Sequence, residues 1–151
     1  MPEPTDAGGP TPPHTPPTSL PDIRGKADIE QLVDEFYTRV RADPLLGPIF
    51  DDVARVNWET HIPHLVSFWQ TVLFGNGGFR GNPMAVHLRL AQLTEMDWPR
   101  FERWTTLFSQ TVNALFAGEQ AARIQMAARE MARAIHSRIR LFGESHPPVA
   151  P

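Results

Sequence analysis

Four histidines fall within the helix-patterned body of the chain, His61, His64, His87 and His136, while His14 and His146 sit in its proline-rich ends. An imidazole in an apolar setting can act as a proton carrier, a hydrogen-bond donor or a metal ligand. Other chemistries are missing their residues. The chain contains no cysteine, which removes thiolate nucleophiles, zinc–thiolate sites, iron–sulfur clusters and disulfides together. No Walker-type phosphate loop, nucleophile elbow or H-E-x-x-H pair occurs. His61 and His64 are spaced to share a helix face, but Glu59 is the one further ligand nearby, so a bare metal ion there is the weaker reading.

His87 has different surroundings. Met84, Val86, Leu88 and Leu90 flank it on a short segment opened by Asn82-Pro83. Taken alone, such a histidine is more often a core or boundary residue with a satisfied hydrogen bond than a ligand. Tyr37, His61 and Trp104 change the balance. Each lies on the apolar stripe of a separate helix, and a polar tip buried there needs a partner. Three donors meeting an isolated imidazole in an otherwise apolar core would suit a flat, apolar cofactor that carries its own metal. Haem has that shape, and neutral imidazole is a usual iron ligand. The spacing permits this convergence without proving it.

The elements that must position these residues are helical, with apolar residues recurring at helical rather than strand intervals. Ile29, Leu32, Val33, Phe36, Tyr37 and Val40 form a first stripe, ended by Pro44. Pro44 to Phe50 is too proline-dense for a long helix and predicts a tight corner. Trp58, His61, Leu65, Phe68, Trp69, Val72 and Leu73 form a second stripe, stopped by Gly75 and a loop through Gly81 with three further glycines. Pro63 interrupts that stripe; an interior proline costs about 3 kcal/mol, so the helix is expected to start late, near Thr60, with Trp58–Thr60 otherwise a separate or kinked turn. Asn82 caps a third helix running to about Leu90, with Pro83 at its first position. Asp97 caps a fourth, carrying Phe101, Trp104, Thr105, Phe108, Val112 and Leu115 inward and ending by Gly118. A fifth runs from about Glu119 to Leu141, burying Ile124, Ala128, Met131 and Ile135, with Gly143 beyond its end and His136 on the surface. The fold class is all-α.

The 151 residues suggest one domain. Half of the 16 prolines lie in residues 1–22, with almost no large apolar side chains before Leu20; such a segment is expected to remain a disordered tail. Residues 23–143 are expected to form the domain, and 144–151 a second loose end. A net charge of −3 with scattered arginines advertises neither a nucleic-acid nor an anionic-membrane partner. No apolar run reaches the ~18–20 residues that span a bilayer, and the N-terminus lacks a signal-peptide pattern. The reading is a cytoplasmic monomer with no membrane or nucleic-acid partner.

The segments Glu35-Phe36-Tyr37, Leu46-Gly47-Pro48-Ile49-Phe50, Phe68-Trp69, Gly81-Asn82-Pro83-Met84-Ala85-Val86-His87-Leu88 and Phe101-Glu102-Arg103-Trp104 resemble the third group of truncated haemoglobins, in order and separation, over about Asp28 to Leu141. The paired-glycine motifs of the other two groups are missing, in agreement. The resemblance implies a shortened globin fold, two helices layered over two around haem b. It implies His87 as the proximal iron ligand and Phe50 as the ring packed on the haem face. Tyr37, His61 and Trp104 would be the distal residues around a bound gas, and Leu65, Phe68 and Trp69 would line the pocket. His64 and Arg89 could pair with the haem propionates or stand solvated, with Arg80 a weaker third.

The implied function is reversible binding of O2, NO or CO at a five-coordinate iron, the chemistry of oxygen binding and oxygen transport. Polar retention of O2 suits detoxification of NO or peroxide better than delivery. NO dioxygenase and peroxidase-like activities both stay open, and either would call on a reductase. Two other classes stay open as well: a haem-based gas or redox sensor signalling through a partner, and a cofactor-free helical interaction module.

Overall fold

The computed structural model describes residues 19–145, with side-chain surroundings through residue 143. Most of the expected N-terminal tail and the segment after Ser145 lie outside the described residues, as do His14 and His146. Five helices follow in order: α1 (Lys26–Ala42), α2 (Trp58–Phe74), α3 (Pro83–Leu90), α4 (Trp98–Leu115) and α5 (Glu119–Ser145), with one π-helical turn, Ile49–Val53, between α1 and α2. Among the described residues there is no strand, and no helix is long and apolar enough to cross a membrane. α1 packs on α2, α4 on α5, and the two pairs cross through α1–α4 and α2–α5 contacts. This is the expected two-over-two sandwich.

The α1 stripe is buried as its spacing predicts. Phe36 reaches Phe108 of α4 with ring centroids 5.0 Å apart, and Phe108 stacks on Trp69 of α2, also at 5.0 Å. Burial of each such ring contributes about 1.5–3 kcal/mol. On α2 the fully buried residues are Val66, Trp69 and Leu73. His61, Leu65 and Phe68 are only partly covered, because that face looks onto a cavity.

α2 departs from expectation at its start. It begins at Trp58, not near Thr60, and holds Pro63 inside. The reason is local: Asn57 Oδ1 accepts the Glu59 N–H at 3.1 Å, and the Asn57 carbonyl accepts the N–H groups of Thr60 and His61. Pro63 leaves the Glu59 carbonyl without its helical donor, but both residues are exposed, so water can replace the lost bond.

The ends of the last two helices also differ. α4 stops at Leu115, before Gly118, because Phe116 turns to extended backbone and buries its ring. α5 runs through Gly143 to Ser145. Its N-terminus is capped from far along the chain, by Asp22, whose carboxylate accepts the Gln120 and Ala121 N–H groups at 2.9 Å each. The Pro21 carbonyl accepts from Ala117 at 3.0 Å. Pro21 and Asp22, expected to close the tail, are therefore docked on the domain.

The corner after α1 is built on Asp43. Its Oδ1 accepts the Leu45 and Leu46 N–H groups at 2.9 and 3.0 Å, its carbonyl accepts Gly47 N–H, and its Oδ2 accepts Arg103 Nε of α4 at 2.7 Å. Burial alone would raise this carboxyl's pKa, but the Arg103 and backbone bonds outweigh it and hold the pKa below the usual carboxylate value. A side chain on Gly47 would meet the Arg41 carbonyl, which is why the chain can pass so close to α1. The corner then continues past Phe50 as the π turn, closed by Ala54 N–H to Ile49 O at 2.8 Å.

Candidate functional site

All eight residues singled out from the sequence, Tyr37, Phe50, His61, Leu65, Phe68, Trp69, His87 and Trp104, line one cavity of about 270 Å³. Every helix and the Ile49–Val53 turn contribute to its wall. Most of the lining is aliphatic or aromatic, with Leu46, Ile49, Leu90, Met96 and Phe101 among the rest.

His87 owes its orientation to the start of α3. Asn82 Oδ1 accepts the Ala85 N–H at 3.0 Å, and Pro83 supplies a first helical residue with its φ already set. One turn later, His87 Nδ1 lies 2.6 Å from the Pro83 carbonyl oxygen. A carbonyl can only accept, so Nδ1 carries the ring proton and Nε2 keeps its lone pair. Burial pushes the His87 pKa down, and the bond to Pro83 pulls it partly back; the ring is neutral at neutral pH. Phe101 lies beside it, ring centroids 6.4 Å apart, in a small apolar cluster with Ala132 and Ile135 of α5.

The second polar group in the lining comes from α1, α2 and α4. Tyr37 is almost fully buried, in edge contact with Phe50 at 5.7 Å and with His61 at 6.1 Å. Burial drives its phenol well above the ordinary tyrosine range, and hydrogen bonding from the Trp104 indole N–H opposes this only in part. His61, half-buried, has its pKa lowered first by burial and then by the nearby His64. Both tyrosine and histidine are therefore uncharged at neutral pH.

The polar candidates at the rim separate. His64 lines the cavity with its ring 4.7 Å from Phe79, whereas Arg80 and Arg89 are exposed and lie outside the lining. Arg100 does line it, held by Asp97 at 2.9 Å and Glu95 at 3.7 Å. His136, expected on the surface, is partly buried between Trp98 and Phe101 at 5.3 and 5.6 Å. Phe79 and Arg100 are lining residues that sequence spacing did not bring out. Phe79 follows no helical period; it is placed by the glycine loop, where Ser67 Oγ donates to the Gly77 carbonyl at 2.6 Å and Phe79 N–H donates to Thr71 Oγ1 at 3.2 Å. Arg100 reads in sequence as an ordinary first-turn partner of Asp97.

This donor set fits haem. Among the described residues no three His, Asp or Glu side chains gather as a site for a bare ion. Of the three imidazoles in a largely apolar lining, His87 alone has Nδ1 tied to a backbone carbonyl, so its Nε2 lone pair matches a metal that brings its other ligands with it.

Comparison with known proteins bears on the family and the fold. Residues 20–137 match the family model described as bacterial-like globin. The chain is 30% identical over 118 residues to a group 3 truncated haemoglobin of Campylobacter jejuni, covering 76% of this chain and 91% of that protein. A crystal structure of group III truncated haemoglobin from the same organism superposes with a TM-score of 0.70 at 28% identity, covering 81% of this chain and 95% of that one. A group 1 truncated haemoglobin of Nostoc commune matches a shorter stretch, 36% identical over 67 residues, 44% of this chain and 54% of that protein.

Proposed function

The chain belongs to the bacterial-like globins, as a truncated haemoglobin of the third group and so a haem-binding globin, and from that premise we propose that its cavity takes haem b on His87 and binds O2, NO or CO reversibly beside Tyr37, His61 and Trp104. The observation that carries this reading is the 2.6 Å contact from His87 Nδ1 to the Pro83 carbonyl. It fixes the tautomer that presents Nε2 as a ligand and makes the ring more basic toward a metal.

Haem, when bound, supplies an iron position at which a diatomic gas can be held. The chain's own residues decide what happens around that gas. Tyr37 keeps its proton at neutral pH, and the Trp104 indole N–H, a donor only, can approach the phenol oxygen but takes no proton from it. The Tyr37 O–H is thus left to donate into the cavity. A hydrogen bond to a charged partner is worth about 1.5–3 kcal/mol, or roughly 10–150-fold in affinity. His61, neutral through burial, offers a second and more exposed donor. Phe50, Leu65, Phe68 and Trp69 surround these tips with apolar surface, which excludes water and strengthens each polar contact.

Polar retention of this kind favours chemistry on the ligand over its delivery. The proposed role is detoxification of NO or peroxide by a monomer that draws electrons from a separate reductase. The deciding experiment is the absorbance spectrum of the purified protein, ferric and then dithionite-reduced, with and without CO. A Soret band that shifts on reduction and on adding CO is expected. A colourless protein that gains no Soret absorbance on titration with haemin would overturn the reading.

A further inference from the structure

Trp58 belongs to the inward stripe of α2, yet gas binding as described gives it no task. It is the first residue of α2, and its ring lies behind three side chains of the cavity wall. Its centroid is 5.9 Å from Phe50, nearly stacked, 5.5 Å from Tyr37, and 5.6 Å from His61 in an edge-on contact at 80°. All three of those neighbours line the cavity.

The other edge of the indole is held from outside. Trp58 Nε1 donates to Asp51 Oδ1, on the π turn, at 3.0 Å. Arg41 of α1 pairs with the same carboxylate oxygen at 3.5 Å and lays its guanidinium carbon 4.9 Å from the Trp58 ring centroid. Three elements, α1, the π turn and the start of α2, thus converge on one side chain. The backbone between Asp51 and Trp58 is itself constrained: Arg55 takes a left-handed φ of 50° and Asn57 caps α2. His61 follows three residues after Trp58, so the two rings stand on one face of the first turn. The indole thus packs directly against the His61 ring.

We propose that Trp58 is a positioning residue for the gas pocket, a wedge behind His61 fixed by Asp51 and Arg41, which sets how readily His61 moves aside to admit a ligand from solvent. The inference rests on the haem-binding reading of the cavity. Trp58 does not line the cavity; it acts through His61. It follows that Trp58 governs entry, whereas Tyr37 governs release.

The test uses haem-loaded protein and CO association after flash photolysis. Trp58→Phe removes the indole N–H and part of the wedge, and Asp51→Ala removes its anchor; each should speed CO association by about 3–10-fold, the scale of one lost hydrogen bond. Asp51→Asn keeps an oxygen acceptor for the indole and should stay within about twofold of the unaltered protein. O2 dissociation should hold within about twofold in all three. In a His61→Leu background, Trp58→Phe should add nothing further, because the two act as one unit. Unchanged CO association in both Trp58→Phe and Asp51→Ala, or an acceleration that persists in full without His61, overturns the proposal. Absence of a Soret band in the unaltered protein counts against the cofactor reading instead. In that event NMR of the His61 ring protons reads the wedge directly: resonances that move in Asp51→Ala support it, and unmoved ones overturn it.

Discussion

The imidazole of His87 is tied by its Nδ1 to the carbonyl of Pro83, 2.6 Å away and one helical turn earlier. Imidazole and orienting carbonyl therefore lie on the same eight-residue helix, α3. The tautomer that frees Nε2 is set by local backbone, needing no carboxylate from elsewhere.

Removing that imidazole should empty the site. Purified His87→Ala is expected to lose the Soret band, and free imidazole should restore it by filling the same space. Normal haem retention without imidazole would dismiss the proximal assignment.

Tyr37 and Trp104 should differ in effect although both line the cavity. Tyr37→Phe deletes the hydroxyl of a cavity-lining residue, and O2 dissociation should quicken by about tenfold or more. Trp104→Phe removes the donor to the Tyr37 oxygen and frees that oxygen to accept, so a smaller acceleration is expected. Stopped-flow release of O2 into excess CO measures both, and an unchanged rate in Tyr37→Phe would remove it from this role.

Asp43 should make stability depend on acid. Its folded pKa lies below the ordinary value, so the unfolded chain binds the proton more readily. The contribution is fully present above the unfolded carboxylate pKa, near ~3.9, and is lost as pH falls through the lower folded value. At neutral pH, Asp43→Asn should cost about 1.5–3 kcal/mol, the scale of a hydrogen bond to a charged group. Urea melts should show the gap between the two proteins closing below about pH 4; a gap independent of pH would mean that the Arg103 pairing adds nothing.

Gly77→Ala probes the loop that carries Phe79. A Cβ there would collide with the Ser67 carbonyl and crowd Thr71, both on the rigid body of α2. Overpacking of this kind costs about 1–3 kcal/mol, and the loop should shift Phe79 away from His64 and Phe68, which it now meets at 4.7 and 5.1 Å. Thermal melts and haem affinity should fall together. A variant as stable as the parent would show that the loop has room to adjust.

The helical class was legible in the chain because helix signals are short-range. The α1 stripe repeats every three to four residues, and Asn82-Pro83 and Asp97 announce their helices within one turn. The short helix of His87 was legible for the same reason, whereas the histidine itself stood out only beside Tyr37, His61 and Trp104 on other helices and through the family resemblance. Pro63 shows the limit even of local reading: its cost was foreseen, but the competing cap at Asn57, six residues earlier, decided where α2 begins.

What remained hidden depends on which faces meet. Asp22 caps a helix 98 residues away, and Arg103 reaches Asp43 across 60. Neither pair has a periodic signature, because chain closure brings them together. The same holds for Phe79, whose loop has no helical repeat, and for Trp58, whose spacing placed it inward without revealing that it would stand behind His61 rather than in the cavity. Periodicity assigns a side chain to a face of its own helix; only the packing of several helices decides whether that face meets core, cavity or another residue's back.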